Sequence, residues 1–269
     1  MKREDVLNYL TKIPKGMVST YKDIANYYNS KAYRQVGMML HSNDDKYKYP
    51  CYKIVNSKGY PSSNYKFGGI EEQIRLLKED NIELINGNVD LERYEFNLIL
   101  ETPRLYLRKL VKNDLPRLEE IMNDKVMTHY ERHFGSNEVY EWYLKQRERY
   151  KTNTGLLACC LKENNKLIGQ VGLTYQEIPE KTVLEVGYIF DDKYWHNGYA
   201  SEASKALINL AFNKGYNEVY SIIKWNNIPS QKVALRNNMH KVLEYDKIYY
   251  NKVMRHFVYR VCKDEIQGK

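Results

Sequence analysis

Residues 184–203 read Leu184-Glu185-Val186-Gly187-Tyr188-Ile189-Phe190-Asp191-Asp192-Lys193-Tyr194-Trp195-His196-Asn197-Gly198-Tyr199-Ala200-Ser201-Glu202-Ala203. An apolar strand containing Glu185 runs into a tight loop, and Ala206, Leu207, Leu210 and Ala211 then recur at helical spacing. Strand, loop and helix start in that order make a site for an anion, because unpaired backbone N–H groups and the positive end of the helix dipole point out of the loop. The small residues Gly198, Ala200 and Ser201 leave room there for a pyrophosphate.

The alternation continues upstream. Residues 102–110 pattern as a strand, 114–123 as a helix, and 167–173 as a strand leading toward 184–190. Before about residue 100 the pattern is different. Val6, Leu10 and Ile13 mark a helix that stops at Pro14-Lys15-Gly16, and Ser19 or Thr20 caps a second helix over 21–28. A third, over 32–41, carries Val36, Met39 and Leu40 on one face, giving a helix-turn-helix. A fourth, over 70–79, follows the Gly68-Gly69 turn with Ile70, Ile74 and Leu77 directed inward. The joint between the two patterns falls near residues 97–102, and a chain of 269 residues accommodates two compact units.

Composition narrows the class further. Hydrophobic residues at 43% and charged residues at 28% exclude a wholly disordered or fibrous chain. No apolar run approaches the ~20 residues that span a bilayer, so no membrane partner is expected. Met1-Lys2-Arg3-Glu4-Asp5 lacks the apolar core of a secretory signal, which points to the cytoplasm. Cys51, Cys159, Cys160 and Cys262 form no CxxC pair, and Cys159 and Cys160 sit in an apolar run that reads as a buried strand. His129 and His133 stand at i and i+4 without the order of a zinc-protease motif, so no metal site is expected. The net charge of +8 is uneven: residues 11–70 hold ten basic side chains against three acidic ones, either a solvated lysine-rich face or the footprint of a protein that meets phosphates.

Within that basic segment, Pro50-Cys51-Tyr52-Lys53-Ile54-Val55 resembles the Pro-Cys-His-Arg-Val signature of the methylated-DNA-protein-cysteine methyltransferases. Gly16-Met17-Val18-Ser19-Thr20-Tyr21, Arg34-Gln35-Val36-Gly37 and Asn43 match further elements of that family in order. The resemblance covers residues 1–98 and implies a small winged helix-turn-helix domain that binds duplex DNA containing an alkylated guanine. It implies that Arg34 fills the space of a flipped base, that Tyr21 pushes on the adjacent phosphate, and that Gly37, Asn43, Tyr52 and Lys53 complete the DNA-facing set. Cys51 is then an alkyl acceptor, a lining residue of the base pocket, or a structural thiol. Tyr52 replaces the family's His and Lys53 its Arg, while the acidic partner falls at Glu79 or Asp80. A phenol of reference pKa ~10 is a poor base toward a thiol of ~8.5. The compact form is also similar to alkyltransferase-like proteins, which bind alkylated DNA without repairing it and usually lack the cysteine that this chain keeps.

Residues 101–265 resemble the GNAT acetyltransferases, especially the branch that acetylates ribosomal-protein N-termini. The matching elements are Arg104-Leu105-Tyr106-Leu107-Arg108, Glu185-Val186-Gly187-Tyr188, Trp195-His196-Asn197-Gly198-Tyr199-Ala200 and Asn227-Ile228-Pro229-Ser230. The resemblance implies an α/β domain with a mixed, splayed sheet and acetyl-CoA as cofactor. The cofactor would lie along Tyr188, Ile189 and Phe190, with its pyrophosphate over His196, Asn197, Gly198, Tyr199, Ala200 and Ser201, and with Asn227 and Ser230 near the pantetheine or thiol. Glu185 is the candidate base for the amine, or else a strand-end surface acid; Ser230 is the candidate acid toward the leaving thiolate, or else a helix cap. His196 and Asn197 replace the commoner Gly and Lys or Arg, and Asn238 stands where the family has Gly.

The expectation is therefore a two-domain α+β protein, an N-acetyltransferase fused to a DNA-binding domain, with methyl transfer to Cys51 left open. The amine acceptor stays open among a protein N-terminus, a polyamine, an antibiotic and a modified nucleobase. Two other readings compete: a non-catalytic damage sensor whose second domain holds a ligand or partner, and an acetyltransferase whose first domain is an RNA or protein adaptor.

Overall fold

Thr20 decides where a helix begins. Its hydroxyl accepts from the Asp23 amide at 3.1 Å and donates to Asp23 Oδ2 at 2.7 Å, and Asp23 Oδ2 in turn accepts from the Thr20 amide. This reciprocal cap sets the start of the helix Tyr21–Tyr27, and Asn97 Nδ2 holds the other oxygen of the buried Asp23 at 2.7 Å. Thr20→Ala removes the hydroxyl from a buried carboxylate and is expected to lower the stability of this unit by about 1–2 kcal/mol, read as a lower denaturation midpoint at unchanged slope.

The computed structural model of the protein describes residues 1–130, 133–249 and 252–267. Its contacts divide the chain into one unit of Met1–Leu100 with Val111–Asn113, and another of Glu101–Leu110 with Asp114–Lys269. In the first unit the order is α1 (Arg3–Leu10), β1 (Ser19–Thr20), α2 (Tyr21–Tyr27), α3 (Tyr33–His41), β2 (Ile54–Val55), α4 (Gly69–Glu79), β3 (Leu84–Ile85), β4 (Asn88–Val89) and α5 (Leu91–Tyr94). β1 pairs with β2 in parallel, and β3 with β4 as a hairpin. The hairpin turns at Asn86-Gly87, both with positive φ (52° and 80°), the pair that a two-residue turn of this hand requires. Val36 and Leu40 anchor α3 from below.

One inward face differs from its sequence pattern. On α4 it is Gln73, Leu76 and Leu77 that are buried, while Ile70 is 40% exposed. The amide of Gln73 explains the exchange: Nε2 donates to the carbonyls of Tyr52 and Ile54, and Oε1 accepts from the Ser62 amide. Three backbone groups of the cysteine segment and its neighbour are satisfied by one side chain.

After β5 (Leu98–Glu101), the second unit runs β6 (Leu105–Arg108), α6 (Leu115–Ile121), α7 (Ser136–Arg149), β7 (Gly155–Leu161), β8 (Leu167–Ile178), β9 (Lys181–Phe190), α8 (Tyr199–Asn213), β10 (Glu218–Lys224), α9 (Ile228–Arg236), β11 (His240–Tyr249), β12 (Lys252–Cys262) and α10 (Lys263–Gln267). Its strands lie in the order β6-β7-β8-β9-β10-β12-β11, antiparallel except for β9 with β10. That parallel pair meets at a single register position, Tyr220 opposite Glu185, and there the sheet splays. β7 is buried throughout, Cys159 and Cys160 included, and all four cysteines are free.

Candidate active site and nucleic-acid interface

The splay creates a cavity. Beyond Glu185 the strands β9 and β10 part, and the opening of about 340 Å³ is lined by Gly187 and Tyr188 on one side and by Ile222, Ile223 and Lys224 on the other. Glu185 sits at its apex in mid-strand, which corrects the reading of a strand-end surface acid. Its Oε1 accepts from the Ile222 amide at 3.2 Å, and Thr174 Oγ1 stands 3.5 Å from Oε2. Burial raises the Glu185 carboxyl above the usual range, against the pull of the Ile222 amide, Lys247, Thr174 and Arg149.

Tyr188 reaches from β9 to the carbonyl of Ser230 at 3.2 Å, and burial pushes its phenol up to about 12. The side chains of Ile189 and Phe190 point into the core, so what they offer a ligand is main chain. The Phe190 carbonyl already accepts from Trp195 Nε1 at 2.9 Å. The cap of α9 is Asn227, whose Oδ1 accepts from the Ser230 amide at 3.2 Å; Ser230 is therefore not the cap, and it lines the cavity instead.

The loop before α8 is open to solvent from Trp195 to Gly198. His196 takes φ 65°, the left-handed conformation that glycine adopts freely and that costs another residue on the order of 1 kcal/mol. Asn238 does the same at φ 57°. Both departures from the family pattern thus keep the backbone path that glycine would give. Gly198 caps the helix at φ 80°, and the hydroxyl of Ser201 is buried without a hydrogen-bond partner.

Sequence reading assigned no role to Arg104, which the fold brings to this loop. Its Nε pairs with Glu202 Oε2 at 2.7 Å, Nη1 donates to the Asn197 carbonyl at 3.0 Å, and the guanidinium lies 4.3 Å from the Tyr199 ring. A cation is thereby restored beside a loop that carries Asn197 where Lys or Arg is common. The exposed amides, the free Ser201 hydroxyl and this guanidinium fit an anionic pyrophosphate. His256 was also missed. It lines the apex cavity with Met254, two positions along β12, and its Nδ1 lies 2.9 Å from the Met254 carbonyl. Burial, together with Lys247 and Lys224, holds its imidazolium below the usual range. Strand alternation over 252–262 was the available signal.

In the first unit an open cavity of about 930 Å³ is lined by Tyr21, Arg34, Gly37, Cys51, Tyr65 and Lys66 among others. Arg34 and Lys22 stand at it with no ion pair among the described residues, and Arg34 is exposed. Gly37 faces the Tyr21 ring. Asn43 is fully buried behind the cysteine, donating to the Tyr49 carbonyl at 2.9 Å and to Cys51 Sγ at 3.2 Å, so it shapes the cysteine turn. Burial raises the Cys51 thiol above its ordinary value, against the opposing pull of Asn43, Tyr65 and Lys66.

Asn43 is therefore no DNA contact, and two more of the expected DNA contacts are also placed elsewhere. Lys53 is 5% exposed; its Nζ pairs with Asp80 at 3.0 Å and donates to the carbonyls of Ile13 and Pro14, so it does not reach a phosphate. Tyr52 packs against Val55, Leu77 and their neighbours and does not line the cavity. Burial, then Asp80 and Glu79, push its phenol up to about 12. The Asp80 carboxylate, expected as the acidic partner, is taken up by Lys53. Among the described residues no group of His, Cys, Asp and Glu is placed to hold a metal, and no helix is long and apolar enough to cross a membrane. His133 pairs with Asp124 at 2.7 Å, and the side chain of His129 lies outside the described residues.

Comparisons with known proteins divide in the same way. A family model described as acetyltransferase (GNAT) domain matches residues 104–240, and one described as 6-O-methylguanine DNA methyltransferase, DNA binding domain, matches residues 2–82. Over 102 residues the chain is 44% identical to a bifunctional methyltransferase/endonuclease of Picrophilus torridus, an alignment covering 36% of this chain and 34% of that protein. The chain thus spans about a third of that relative's length. Over 145 residues it is 32% identical to the uncharacterized protein YkkB of Bacillus subtilis, covering 52% of this chain and 84% of the other. The solved structure of RimL, a ribosomal L7/L12 alpha-N-protein acetyltransferase in complex with coenzyme A, superposes with a TM-score of 0.53 at 16% identity, covering 62% of this chain and 98% of that one. At that identity the likeness is one of fold.

Proposed function

For a chain that belongs to the GNAT acetyltransferase family and carries a DNA-binding domain of the 6-O-methylguanine DNA methyltransferase type, we propose two activities: acetyl transfer from acetyl-CoA to an amine in the second unit, and binding of DNA at an extrahelical alkylated guanine in the first. The observation that carries the first is the single-register splay between β9 and β10, with Glu185 at its apex and Tyr188 and Ser230 in the same cavity.

Acetyl-CoA, when bound, supplies the acyl group and the thiol leaving group. Gly198, Tyr199, Ala200 and Ser201 would hold its pyrophosphate through backbone N–H groups and the Ser201 hydroxyl, with the Arg104 guanidinium beside them, and the β9 main chain from Tyr188 to Phe190 would hold the pantetheine arm. Glu185 accepts the proton that the acceptor ammonium must lose, directly or through one water. Its raised carboxyl is a better base than a surface glutamate. A β9 backbone N–H facing the splay polarises the acyl oxygen, and the Ser230 hydroxyl donates a proton toward sulfur.

For the first unit, Arg34 enters the duplex beside the flipped nucleotide, Tyr21 meets the adjacent phosphate, and the base enters the cavity above Cys51. The thiol stays neutral, since no base stands in the position of the family's histidine: Tyr52 faces the core. Incubation of the full chain with a methylguanine duplex is expected to give preferential binding over plain duplex and no persistent mass adduct on Cys51 at neutral pH. Arg34→Ala should weaken that binding by about 1–3 kcal/mol while Cys51→Ser retains it. A stable methyl adduct on Cys51 would replace the non-repairing reading with alkyl transfer; equal affinity for both duplexes would remove the lesion-binding role.

A further inference from the structure

The helix α3 is anchored by Val36 and Leu40, both buried, whereas Arg34, Met38 and His41, at i, i+4 and i+7, are exposed and line the cavity of Cys51. A cation and a histidine at such a mouth are ordinary surface residues. Met38 is not: it is 67% exposed, more than Ile70 or Ile85, the other exposed large aliphatic side chains of this unit. It adds little to the core. Tyr33, also exposed, precedes Arg34 and lines the same cavity. Two large apolar side chains thus gather around one cation at a cavity mouth, which sets them apart from apolar residues scattered singly over a surface.

The surrounding charge selects nucleic acid as the occupant. Arg34 and Lys22 stand at the cavity with no ion pair among the described residues, and residues 11–70 hold ten basic side chains against three acidic ones. An extruded nucleotide leaves its neighbours with an uncovered π-face, and an apolar side chain covers that face better than a charge does. Residues four apart in a helix project from one side about 6 Å apart along its axis, less than two base steps of about 3.4 Å. With Arg34 in the vacated space, Met38 comes within reach of the base beside it. Methionine suits the task, being unbranched and polarizable, able to adapt to a base of any identity, and one of the side chains that wedge between base steps.

Resting on the lesion-binding reading of the first unit, we infer that Met38 is a second DNA-inserting side chain, an apolar wedge that packs on the unstacked face of the base flanking the extruded nucleotide while Arg34 fills the gap itself. The two side chains divide the work. The guanidinium supplies an attraction that salt weakens; the thioether supplies a contact that salt does not screen. Because Met38 lies outside the core and alanine is at least as good a helix former, removing it costs DNA binding and not folding.

The test uses the full chain with a methylguanine duplex, a plain duplex, and the methylguanine duplex carrying 2-aminopurine next to the lesion. Met38→Ala is expected to weaken binding to the methylguanine duplex by about tenfold, with an unchanged slope of affinity against salt and an unchanged melting temperature. Binding of the native protein should raise 2-aminopurine fluorescence through unstacking, and Met38→Ala should cut that rise by about half or more. Met38→Leu, which keeps an apolar wedge, should bind within about threefold of the native protein. An affinity of Met38→Ala within about twofold of native, an undiminished fluorescence rise, or Met38→Leu as weak as Met38→Ala overturns the inference and leaves lesion binding standing. A changed salt slope in Met38→Ala assigns the loss to charge placement and overturns it likewise. If the native protein binds neither duplex, or both equally, the lesion-binding reading itself falls and takes the inference with it.

Discussion

Glu185→Gln is expected to lower kcat for acetyl transfer by about two to four orders of magnitude, with far smaller changes in the binding of coenzyme A. Glutamine preserves the size of the side chain and keeps an oxygen for the Ile222 amide, so the splay between β9 and β10 is retained while the proton acceptor is lost. The pH dependence provides a second signature. Burial raises the Glu185 carboxyl, so the acidic limb of kcat/KM in the native protein should lie above the ordinary carboxylate range, and that limb should vanish in the variant. Stability moves in the opposite sense. The folded state holds this proton more tightly than the unfolded chain, so stability is greatest below the unfolded pKa and falls as pH rises toward the folded one. Removing the charge relieves that penalty. The variant should therefore melt no lower than the native protein at neutral pH even as turnover collapses. Parallel loss of both would mean that Glu185 acts as a scaffold and not as a base.

The parts of the molecule that were legible from sequence are those written in neighbouring residues. The strand, loop and helix start around residues 184–203 are local, and even the departures at His196 and Asn238 left the backbone path intact, because both residues take the left-handed conformation. Thr20 likewise announces its helix through a partner only three residues away. Where reading failed, the missing information was distant in sequence. Lys53 was placed in the DNA-facing set by the resemblance, where it stands for the family's Arg; its burial depends on Asp80, placed by α4, and on two carbonyls 39 and 40 residues upstream. Ile70 looked inward by helical period, but Gln73 won the interior because the backbone near Cys51 needed three hydrogen bonds. The lining of the second cavity was hidden for the same reason: residues of α7, β10 and β11 come together there only in the folded chain.

Asp114→Ala is expected to cost the second unit about 3–5 kcal/mol, the largest stability effect of any single substitution considered for this protein. Arg108 closes β6 with its guanidinium 3% exposed, and two parallel bonds tie it to Asp114: Nη1 to Oδ2 at 2.8 Å and Nη2 to Oδ1 at 2.7 Å. Nη1 also donates to the Lys109 carbonyl at 3.0 Å, whereas Nε has no partner, so the ion is already incompletely satisfied before any change. Taking away the carboxylate leaves a buried cation with one backbone carbonyl for compensation. The cost arises from that orphaned charge and not from the pair's net worth, and a paired replacement separates the two. Arg108→Met combined with Asp114→Leu removes both ions and keeps apolar volume next to Cys160, which lies within electrostatic reach of the guanidinium. The double variant should recover most of the lost stability, giving a large coupling energy in the denaturant cycle. If the double variant is as unstable as Asp114→Ala, the geometry of the bidentate bond, and not charge balance, sets the junction between β6 and α6, and the terminal arginine of the Arg-Leu-x-Leu-Arg segment is there to fix a turn.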